Sequence, residues 1–409
     1  MKFGVLSDRF EGAGAKYLTE VEINPEKSNQ HEFQGVGGLR RILGETGEKT
    51  TFPTTFLWVP DSEETGLVRA EGFCTWSDVR RANPNRSAEY HLYYSAESEH
   101  VVHSARAGDI AIFARTKEDA LFVVLCAAES TVSHQLLWLF GLDLDEGQLS
   151  LKILEPDDSP RLGYSVRSIL DMLELEIHEP EPDVLERLVH QFGLEFPTTL
   201  KFSEFARETA GEVDPVGDPD GTLVKWMDHE EMLFRHMERQ LVAKRISEGF
   251  VDSTGVDVDG FVSFSLQVQN RRKSRAGFAL GHHVEAVIQA HGVRYKREAT
   301  TEKRNGPDFL FPGEMEYQSE VYDGSRLTML AAKTSCKDRW RQVLAEADRI
   351  ANKHLLTLQP GISVSQTEEM EKENLQLVVP DDILESFTPA QRKWLINLKE
   401  FLLLVSDRE

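Results

Sequence analysis

Four short apolar runs in the second half of the chain constrain its fold more than any other feature. Each run has four to six residues and is apolar at nearly every position, which is typical of a strand buried on both faces. Segments with helical periodicity lie around them. Strands that alternate with helices predict a layered α/β domain. The four runs are residues 308–311, 327–332, 355–358 and 375–379.

Three segments around these runs have the spacing of amphipathic helices. They are residues 229–243, 274–292 and 338–353. In the third segment, an apolar stripe is predicted to face the core, and Arg339 and Glu346 share a different face. The stripe consists of Trp340, Val343, Leu344, Ala347 and Ile350. A helix packed in this way can present Arg339 and Glu346 at one edge of the sheet.

The first half of the chain predicts a mainly β architecture. Short apolar or alternating runs separated by polar, Gly or Pro breaks favour a small barrel or sandwich. The runs are residues 16–23, 54–59, 89–94, 109–114, 120–127 and 149–154. Two breaks rich in proline and acidic residues follow. We therefore expect a β domain over residues 1–155, a linker over 156–185 and an α/β domain over 186–409.

The composition is that of a globular protein in a reducing compartment. A chain of 409 residues exceeds one ordinary core and indicates two domains. Membrane-spanning runs and a secretory signal are not expected, so no membrane partner is predicted. The three cysteines are widely spaced, which favours neither disulfides nor a zinc site and indicates a cytoplasmic location.

The charge distribution is compatible with a nucleic-acid partner. The net charge of −23 argues against one at face value. However, residues 270–305 carry nine Lys/Arg against three Asp/Glu. A local basic face can bind phosphate while the whole molecule stays acidic. The alternative is that this segment is a solvated surface.

A candidate catalytic set lies at the ends of the apolar runs. Asp308 opens one run, Lys333 follows the next, and Glu346 lies thirteen residues further on. Carboxylates are hard ligands that suit Mg²⁺ beside a phosphate oxygen. A lysine can orient the attacking water or stabilise negative charge in the transition state. With Glu285 as a further acid, the set predicts a metal-dependent phosphodiesterase; the alternative is a strand-capping lysine and a solvated glutamate.

Four motifs together resemble the catalytic domain of EcoRII-type restriction endonucleases. The resemblance covers roughly residues 196–380, and its most specific part is Lys-Thr-Ser-Cys-Lys-Asp-Arg-Trp-Arg-Gln at 333–342. The motifs are residues 270–277, 307–312, 332–343 and 377–380. The resemblance implies a PD-(D/E)XK restriction-endonuclease-like fold and Mg²⁺-dependent cleavage of double-stranded DNA.

The resemblance also implies catalytic roles and partners. It makes Asp308 and Glu346 the metal-binding acids, Lys333 the catalytic lysine and Glu285 an upstream acid. Members of the family act as homodimers on near-palindromic sites. A second copy and a companion cytosine methyltransferase that protects host DNA are therefore implied partners.

DNA reading is implied for the residues that follow the catalytic lysine. The resemblance makes Lys337, Asp338 and Arg339 readers of the outer C·G pairs of a site that begins CC and ends GG. Arginine suits guanine, and aspartate can accept a hydrogen bond from cytosine. The basic run at positions 271–273 is expected to contact DNA as well; it consists of Arg271, Arg272 and Lys273.

The first half of the chain resembles the plant B-three-like pseudobarrel that serves as the effector domain of such endonucleases. Residues 18–35 resemble its first DNA-contacting arm, and residues 76–90 are expected to include the second. The resemblance implies that this domain binds a second copy of the recognition site. The implied contacts are Ser28, Asn29, Gln30 and His31 in the first arm, and Arg80, Arg81, Asn83, Asn85 and Arg86 in the second.

Two other functions remain open from the sequence. One is a catalytically silent, sequence-specific DNA-binding protein on the same scaffold. The other is a nuclease that requires modified DNA, with the first domain reading methylation. His282 and His283 lack partners with metal-ligand spacing, so they are interpreted as exposed or capping residues.

Overall fold

The computed structural model divides the chain into two compact units. The first unit comprises residues 2–179 with 361–363, and the second comprises residues 180–360 with 364–409. The structure describes residues 5–24, 26–27, 30–45, 48–61, 66–82, 85–144, 148–158, 160–175, 184–252, 255–302, 306–336 and 339–409. Among the helices in these ranges, none combines the length and apolar character needed to cross a membrane.

The first unit is built on an eight-stranded sheet. Its strands are β1 (Phe10–Tyr17), β2 (Glu32–Phe33), β3 (Thr50–Trp58), β4 (Val68–Asp78), β5 (Tyr90–Tyr94), β6 (Ile110–Thr116), β7 (Leu121–Cys126) and β8 (Ser150–Ile153). They pair in the order β2-β5-β4-β3-β7-β6-β1-β8. Only β3 and β7 pair in parallel among these neighbours.

Both faces of this sheet are buried against helices. Alternate residues of β7 enter two different apolar clusters, because successive side chains of a strand point to opposite faces. One cluster includes residues of α4 and α5, and the other includes residues of α2 and α3. The helices of the unit are α1 (Glu20–Ile23), α2 (Arg40–Leu43), α3 (Glu99–Val102), α4 (Thr131–Phe140) and α5 (Tyr164–Met172).

The mainly β prediction for this half is confirmed, with local differences. The strand predicted over residues 16–23 is wrong, since β1 ends at Tyr17 and Thr19 begins a short helix. The Thr19 N–H and hydroxyl both donate to Glu22 Oε2 at 2.7 Å, which is the reciprocal cap that favours a helix start. Strands β2 and β4 and most of β1 were not predicted. In β4, charged residues and a glycine interrupt the apolar pattern. The pseudobarrel assignment stays a prediction.

The second unit contains a mixed five-stranded sheet. The strands of the unit are β9 (Val251–Asp252), β10 (Gly255–Val256), β11 (Lys296–Arg297), β12 (Phe309–Phe311), β13 (Thr328–Ala332), β14 (Lys353–Leu356) and β15 (Leu375–Val378). Strands β9 and β10 form a separate hairpin, and the sheet order is β11-β12-β13-β14-β15. The first three strands are antiparallel and the last three parallel. All four strands predicted in this half are present.

Two long helices dominate the rest of the second unit. Its helices are α6 (Val184–Phe192), α7 (Thr199–Thr209), α8 (Pro219–Glu248), α9 (Val258–Ala290), α10 (Glu314–Gln318), α11 (Trp340–Val343), α12 (Val364–Lys372), α13 (Asp381–Leu384) and α14 (Leu398–Arg408). The helices predicted over residues 229–243 and 274–292 lie largely within α8 and α9, which begin much earlier. Asp218 and Asp257 cap these starts by accepting the N–H groups of Gly221 at 2.9 Å and Gly260 at 2.8 Å.

The helix predicted over residues 338–353 is wrong. Among the described residues of this segment, only those of α11 are α-helical, and the chain then turns through Ala347, which has φ of +50°. Such a left-handed residue ends a helix. The apolar stripe is buried all the same, except for the half-buried Leu344. Glu346 therefore lies in a turn and not on a helix face.

Candidate active site

Antiparallel pairing of β12 with β13 brings Asp308 and Lys333 together. Asp308 immediately precedes β12, and Lys333 immediately follows β13. Asp308 Oδ2 accepts hydrogen bonds from the Ala332 N–H at 2.7 Å and from Lys333 Nζ at 2.9 Å. The Lys333 side chain is 18% exposed and that of Asp308 is 35% exposed. The pair is therefore partly buried but reaches solvent.

Glu346 approaches this pair from the turn after α11. Its side chain is half-buried, and its Oε2 has no hydrogen-bond partner among the described residues. Burial raises the pKa of Glu346 to about 7, while the charge of Lys333 lowers it and that of Asp308 raises it. The three groups are thus close enough to influence one another electrostatically. A carboxyl group perturbed by burial and by a second acid is typical of a functional site.

A buried lysine holds the turn that carries Glu346. Lys353, the first residue of β14, is 7% exposed. Its Nζ donates hydrogen bonds to the carbonyls of Ala347 at 3.2 Å and Ile350 at 2.8 Å. Burial lowers the pKa of Lys353, while Asp348 and Glu346 raise it. The ammonium group thus satisfies carbonyls that a longer helix would have paired with backbone N–H groups.

Side chains from distant segments anchor the same turn. Arg349 donates to the carbonyl of Ser319 at 3.1 Å and also bonds the carbonyl of Tyr317. Glu302 Oε2 accepts the Tyr317 hydroxyl at 2.5 Å and the Asp348 N–H at 3.2 Å. The position of Glu346 is therefore set by tertiary contacts and not by local helical propensity.

Glu285 lies on α9 and is engaged with the neighbouring strand β11. Tyr295 Oη donates to Glu285 Oε1 at 2.9 Å, and Arg297 forms an ion pair with Oε2. Arg297 is paired with Phe309 across β11 and β12. Glu285 thus contacts β11, which pairs with β12, and β12 begins immediately after Asp308.

The donor set suits a divalent cation that prefers oxygen. The described part of the chain contains no group of three or more His, Cys, Asp or Glu side chains arranged to hold a metal. Mg²⁺, however, is commonly held by one or two carboxylates, with waters and substrate phosphates completing the octahedron. Asp308 and Glu346 provide two carboxylates, and the buried, unpartnered Oε2 of Glu346 is the atom that fits this role.

The predicted base-reading residues are described only in part. Lys337 and Asp338 lie outside the described residues. Arg339 is exposed immediately before α11, and its N–H donates to the Cys336 carbonyl at 2.8 Å. Its side chain is at the surface, as a DNA contact requires, but its role stays a prediction.

The basic run on α9 has two exposed members and one that is paired. The Arg272 Nε lies 2.6 Å from Glu238 Oε2. The Arg271 guanidinium carbon lies 4.9 Å from the centre of the Phe196 ring, which is a cation–π contact. Arg271 and Lys273 are exposed. The surface charge available for DNA in this run therefore comes mainly from these two residues.

A buried ionic network in the α7, α8 and α9 bundle was not predicted. Arg275 Nη1 bonds Glu230 Oε1 at 3.1 Å and also pairs with Glu231. His283 Nε2 lies 2.9 Å from Glu230 Oε2, and both side chains are fully buried. Burial would raise the pKa of Glu230, but His283 and Arg275 outweigh it and lower the pKa.

The interpretation of the two adjacent histidines as exposed or capping residues is wrong. His283 is fully buried, and His282 is 9% exposed. His282 Nδ1 lies 3.2 Å from the Ser203 hydroxyl. Ala276, Ala279, Leu280 and His283 stand at i, i+3, i+4 and i+7 on α9 and are all buried, so helical spacing could have placed His283 on the buried face.

A pocket in the first unit lies between the two predicted DNA arms. It has a volume of about 610 Å³, and both segments line it, including Gln30 and Gln34 from the first and Ala88 and Tyr90 from the second. The arms therefore meet at one surface of the unit. The pocket is also lined by Glu32 and His91, whose Oε1 and Nδ1 atoms lie 2.5 Å apart.

Two of the predicted arm residues are engaged by neighbouring side chains. The His31 ring stacks on Tyr94 with centroids 5.2 Å apart, and Arg80 is ion-paired with Glu89. Ser28, Asn29 and Asn83 lie outside the described residues. The exposed members are Gln30, Arg81, Asn85 and Arg86.

Residues of the second unit match a known protein family model. Residues 234–402, which include Glu285, Asp308, Lys333 and Glu346, match the family model described as EcoRII C terminal. The chain is 38% identical over 216 residues to the type II restriction enzyme EcoRII of Escherichia coli. That alignment covers 53% of this chain and 52% of the relative, so the chain spans about half the length of the curated relative that it matches.

Two solved protein–DNA complexes are also similar to this chain. One is metal-depleted Ecl18kI with uncleaved, modified DNA, with 17% identity, a TM-score of 0.44 and coverage of 56% of this chain and 85% of that chain. The other is the PspGI restriction endonuclease with substrate DNA, with 15% identity, a TM-score of 0.41 and coverage of 56% and 98%. The family match and the EcoRII alignment thus agree that residues 234–402 are similar to EcoRII C-terminal domains.

Proposed function

We propose that this protein is a Mg²⁺-dependent type II restriction endonuclease that cleaves double-stranded DNA. The observation that carries the proposal is the contact of Lys333 Nζ with Asp308 Oδ2 at 2.9 Å, beside a glutamate whose pKa is raised to about 7. An acid, a lysine and a second acid at one sheet edge are the groups that phosphodiester hydrolysis needs. The family match, which spans all three residues, supports the same activity.

The chemistry follows from the position of each group. Mg²⁺, when bound, supplies a Lewis acid that polarises the phosphate and acidifies water. Asp308 and Glu346 are the residues that would hold it. The Lys333 ammonium orients Asp308 and places positive charge where the phosphate gains negative charge. Because the three side chains are partly buried, these interactions are less screened than in bulk water.

We further propose a recognition site of the CC…GG type, such as CC(A/T)GG, read in part by Lys337, Asp338 and Arg339. The exposed Arg339 next to the catalytic turn supports this assignment, since arginine can bond guanine with two hydrogen bonds. A homodimer would cut both strands of such a near-palindromic site. A companion cytosine methyltransferase would protect host DNA.

The first unit is proposed to bind an effector copy of the same site as a B-three-like pseudobarrel over residues 1–155. Residues 156–185 would connect it to the catalytic domain over 186–409. The pocket shared by the two predicted arms supports a DNA-binding surface there. Its exposed Gln30 and the nearby Arg86 are residue types that bond base edges and phosphates.

The test is cleavage of plasmids that carry zero, one or two CC(A/T)GG sites, with Mg²⁺. Wild-type protein should yield discrete fragments, most readily with two sites. Lys333→Ala should abolish cleavage and retain specific binding in a gel-shift assay. Lys372→Ala is the matched control, because Lys372 is an exposed lysine at the end of α12.

Each other outcome points to a different function. Cleavage retained by Lys333→Ala would refute the catalytic assignment. Specific binding without cleavage on any unmodified or methylated plasmid would favour the silent DNA-binding protein. Cleavage of methylated plasmids alone would indicate a nuclease that requires modified DNA.

A further inference from the structure

Gln359, which follows β14, holds the backbone of the segment that comes after Lys333. Its side-chain Oε1 accepts a hydrogen bond from the Cys336 N–H at 2.6 Å. Cys336 is fully buried, and Gln359 is 6% exposed. Residues 334–336 belong to neither a strand nor a helix, so a buried N–H group there needs a partner outside regular structure. Gln359 provides that partner.

The carbonyl of Cys336 fixes the chain where α11 begins. It accepts hydrogen bonds from the N–H groups of Arg339 at 2.8 Å and Trp340 at 3.1 Å. Trp340 is 1% exposed, whereas Arg339 is exposed. The Arg339 backbone is therefore linked to Gln359 through one residue, which is hydrogen-bonded on both of its peptide groups. The exposed guanidinium extends from a backbone that these bonds hold in place.

The Gln359 backbone is itself fixed to the parallel part of the sheet. Its N–H donates to Thr357 Oγ1 at 3.2 Å. The Thr357 N–H donates to the Val378 carbonyl at 3.1 Å and so extends the pairing of β14 with β15. Thr357 is fully buried. The oxygen that holds Cys336 thus stands on a rigid element, as the support of a recognition residue should.

Lys333 is held by a different contact. Its N–H donates to the Leu356 carbonyl at 2.9 Å, which extends the pairing of β13 with β14 by one residue, and its Nζ bonds Asp308. Lys333 and Arg339 are only six residues apart, yet their backbones are anchored separately. Loss of the bond to Cys336 should therefore displace Arg339 more than Lys333.

We propose that Gln359 is a positioning residue for base reading, whose side-chain oxygen sets, through Cys336, where the Arg339 guanidinium meets a guanine. The inference rests on the proposed function and deepens it, because Arg339 is one of the proposed readers. Two hydrogen bonds from one guanidinium to guanine require both donors to be aligned. Recognition groups tolerate displacements of only about 0.5 Å. Discrimination between bases should thus depend on the Gln359 oxygen more strongly than the chemical step does.

The experiment compares kcat/KM for duplexes that carry CC(A/T)GG with kcat/KM for each single-base variant of that site. Gln359→Met removes the amide oxygen and keeps the length of the side chain. Discrimination at one G·C pair should fall about tenfold, which is part of what a bidentate contact supplies, while cleavage of the intact site should fall less. Gln359→Glu keeps an acceptor oxygen and should retain most of the discrimination.

Gln376→Met is the matched control on the neighbouring strand β15. The Gln376 Nε2 donates to the Trp394 carbonyl at 2.5 Å, so this variant also loses a glutamine side-chain hydrogen bond. It should unfold at lower urea concentration than wild type and discriminate between bases as wild type does. Binding of metal-free protein to the same duplexes, measured by gel shift, gives the discrimination without cleavage.

Hydrogen exchange on the wild-type protein tests the contact without any substitution. The Cys336 N–H, followed by mass spectrometry of overlapping peptides, should exchange as slowly as the amides of β13. Rapid exchange at Cys336 would overturn the proposal. Wild-type discrimination by Gln359→Met would also overturn it, as would a loss in Gln359→Glu as large as that in Gln359→Met.

Failure of the nuclease proposal would look different. Wild-type protein would then bind the duplexes with a base preference but cut none, and the gel-shift ratios of the Gln359 variants would still decide the role of Gln359. If wild-type protein showed no base preference at all, the reader role of Arg339 and the positioning role of Gln359 would both be refuted.

Discussion

Replacement of Glu346 by glutamine measures the free energy of holding a carboxylate at the catalytic turn. Burial raises the pKa of Glu346 from 4.5 to about 7. The carboxyl group therefore ionises less readily in the folded protein than in the unfolded chain. A difference of one in pKa between the two states corresponds to about 1.4 kcal/mol. Because the side chain is partly exposed, solvent screening reduces the total to about 1–2 kcal/mol.

The raised pKa of Glu346 destabilises the fold only where the carboxyl group ionises. Stability is unaffected at a pH where the group is protonated in both the folded and the unfolded state. The fold is destabilised increasingly between pH 4.5 and 7, and fully above pH 7. At pH 8 without metal, Glu346→Gln should therefore be about 1–2 kcal/mol more stable than wild type. At pH 5 the difference should shrink to about a few tenths of a kcal/mol.

Urea unfolding at these two pH values, with and without Mg²⁺, is the assay. Glu371→Gln is the control, because Glu371 is exposed on α12 and should change stability by less than about 0.5 kcal/mol. Mg²⁺ should stabilise wild type by mass action and the Glu346→Gln variant much less. The order of stabilities should thus reverse when metal is added, while cleavage by the variant is lost.

Two results would refute this reasoning. A Glu346→Gln variant that is less stable than wild type at both pH values would make the carboxylate a structural group. Equal stabilisation of both proteins by Mg²⁺ would remove Glu346 from the metal site.

Four further predictions concern the same unit. The Mg²⁺ concentration for half-maximal cleavage should rise about tenfold from pH 8 to pH 6, because protons compete with metal for Glu346; a titration at each pH checks this. Lys353→Met should raise the same Mg²⁺ requirement, since the turn loses the hydrogen bonds of the ammonium group, and Lys353→Arg should restore part of it. Arg339→Ala should cost about 1–3 kcal/mol of discrimination at one G·C pair, measured as cleavage of single-base variants of the site, whereas an equal loss on all sequences would indicate a phosphate contact. Arg275→Met should destabilise the unit by about 3–5 kcal/mol in calorimetry, because Glu230 stays buried and charged without its partner.

The positions of Asp308 and Lys333 could be predicted from the sequence, because both residues lie at the ends of buried strands. Fully apolar runs of this length form buried strands, and the residues that flank them emerge at the edge of the sheet. Antiparallel pairing of β12 and β13 then sets Asp308 opposite the end of the next strand. The contact between the two side chains follows from register alone.

The conformation around Glu346 could not be predicted from the sequence in the same way. Trp340, Val343, Ala347 and Ile350 are all buried, as the helical period predicted. A short helix followed by tight turns buries the same positions, so the pattern cannot distinguish the two. The choice is made by Lys353, whose ammonium group bonds the turn's carbonyls.

The carboxylate for which we propose metal binding departs from ordinary packing rules. Glu346 keeps a buried carboxylate oxygen without a hydrogen bond near a second acid, and such a group costs stability. The network around Arg275 shows that the same unit compensates buried charge where no function requires otherwise, because Glu230 and Glu231 both lie against one guanidinium. Local departures amid a consistent fold are expected at sites under functional constraint, and a cation at Glu346 would remove this one.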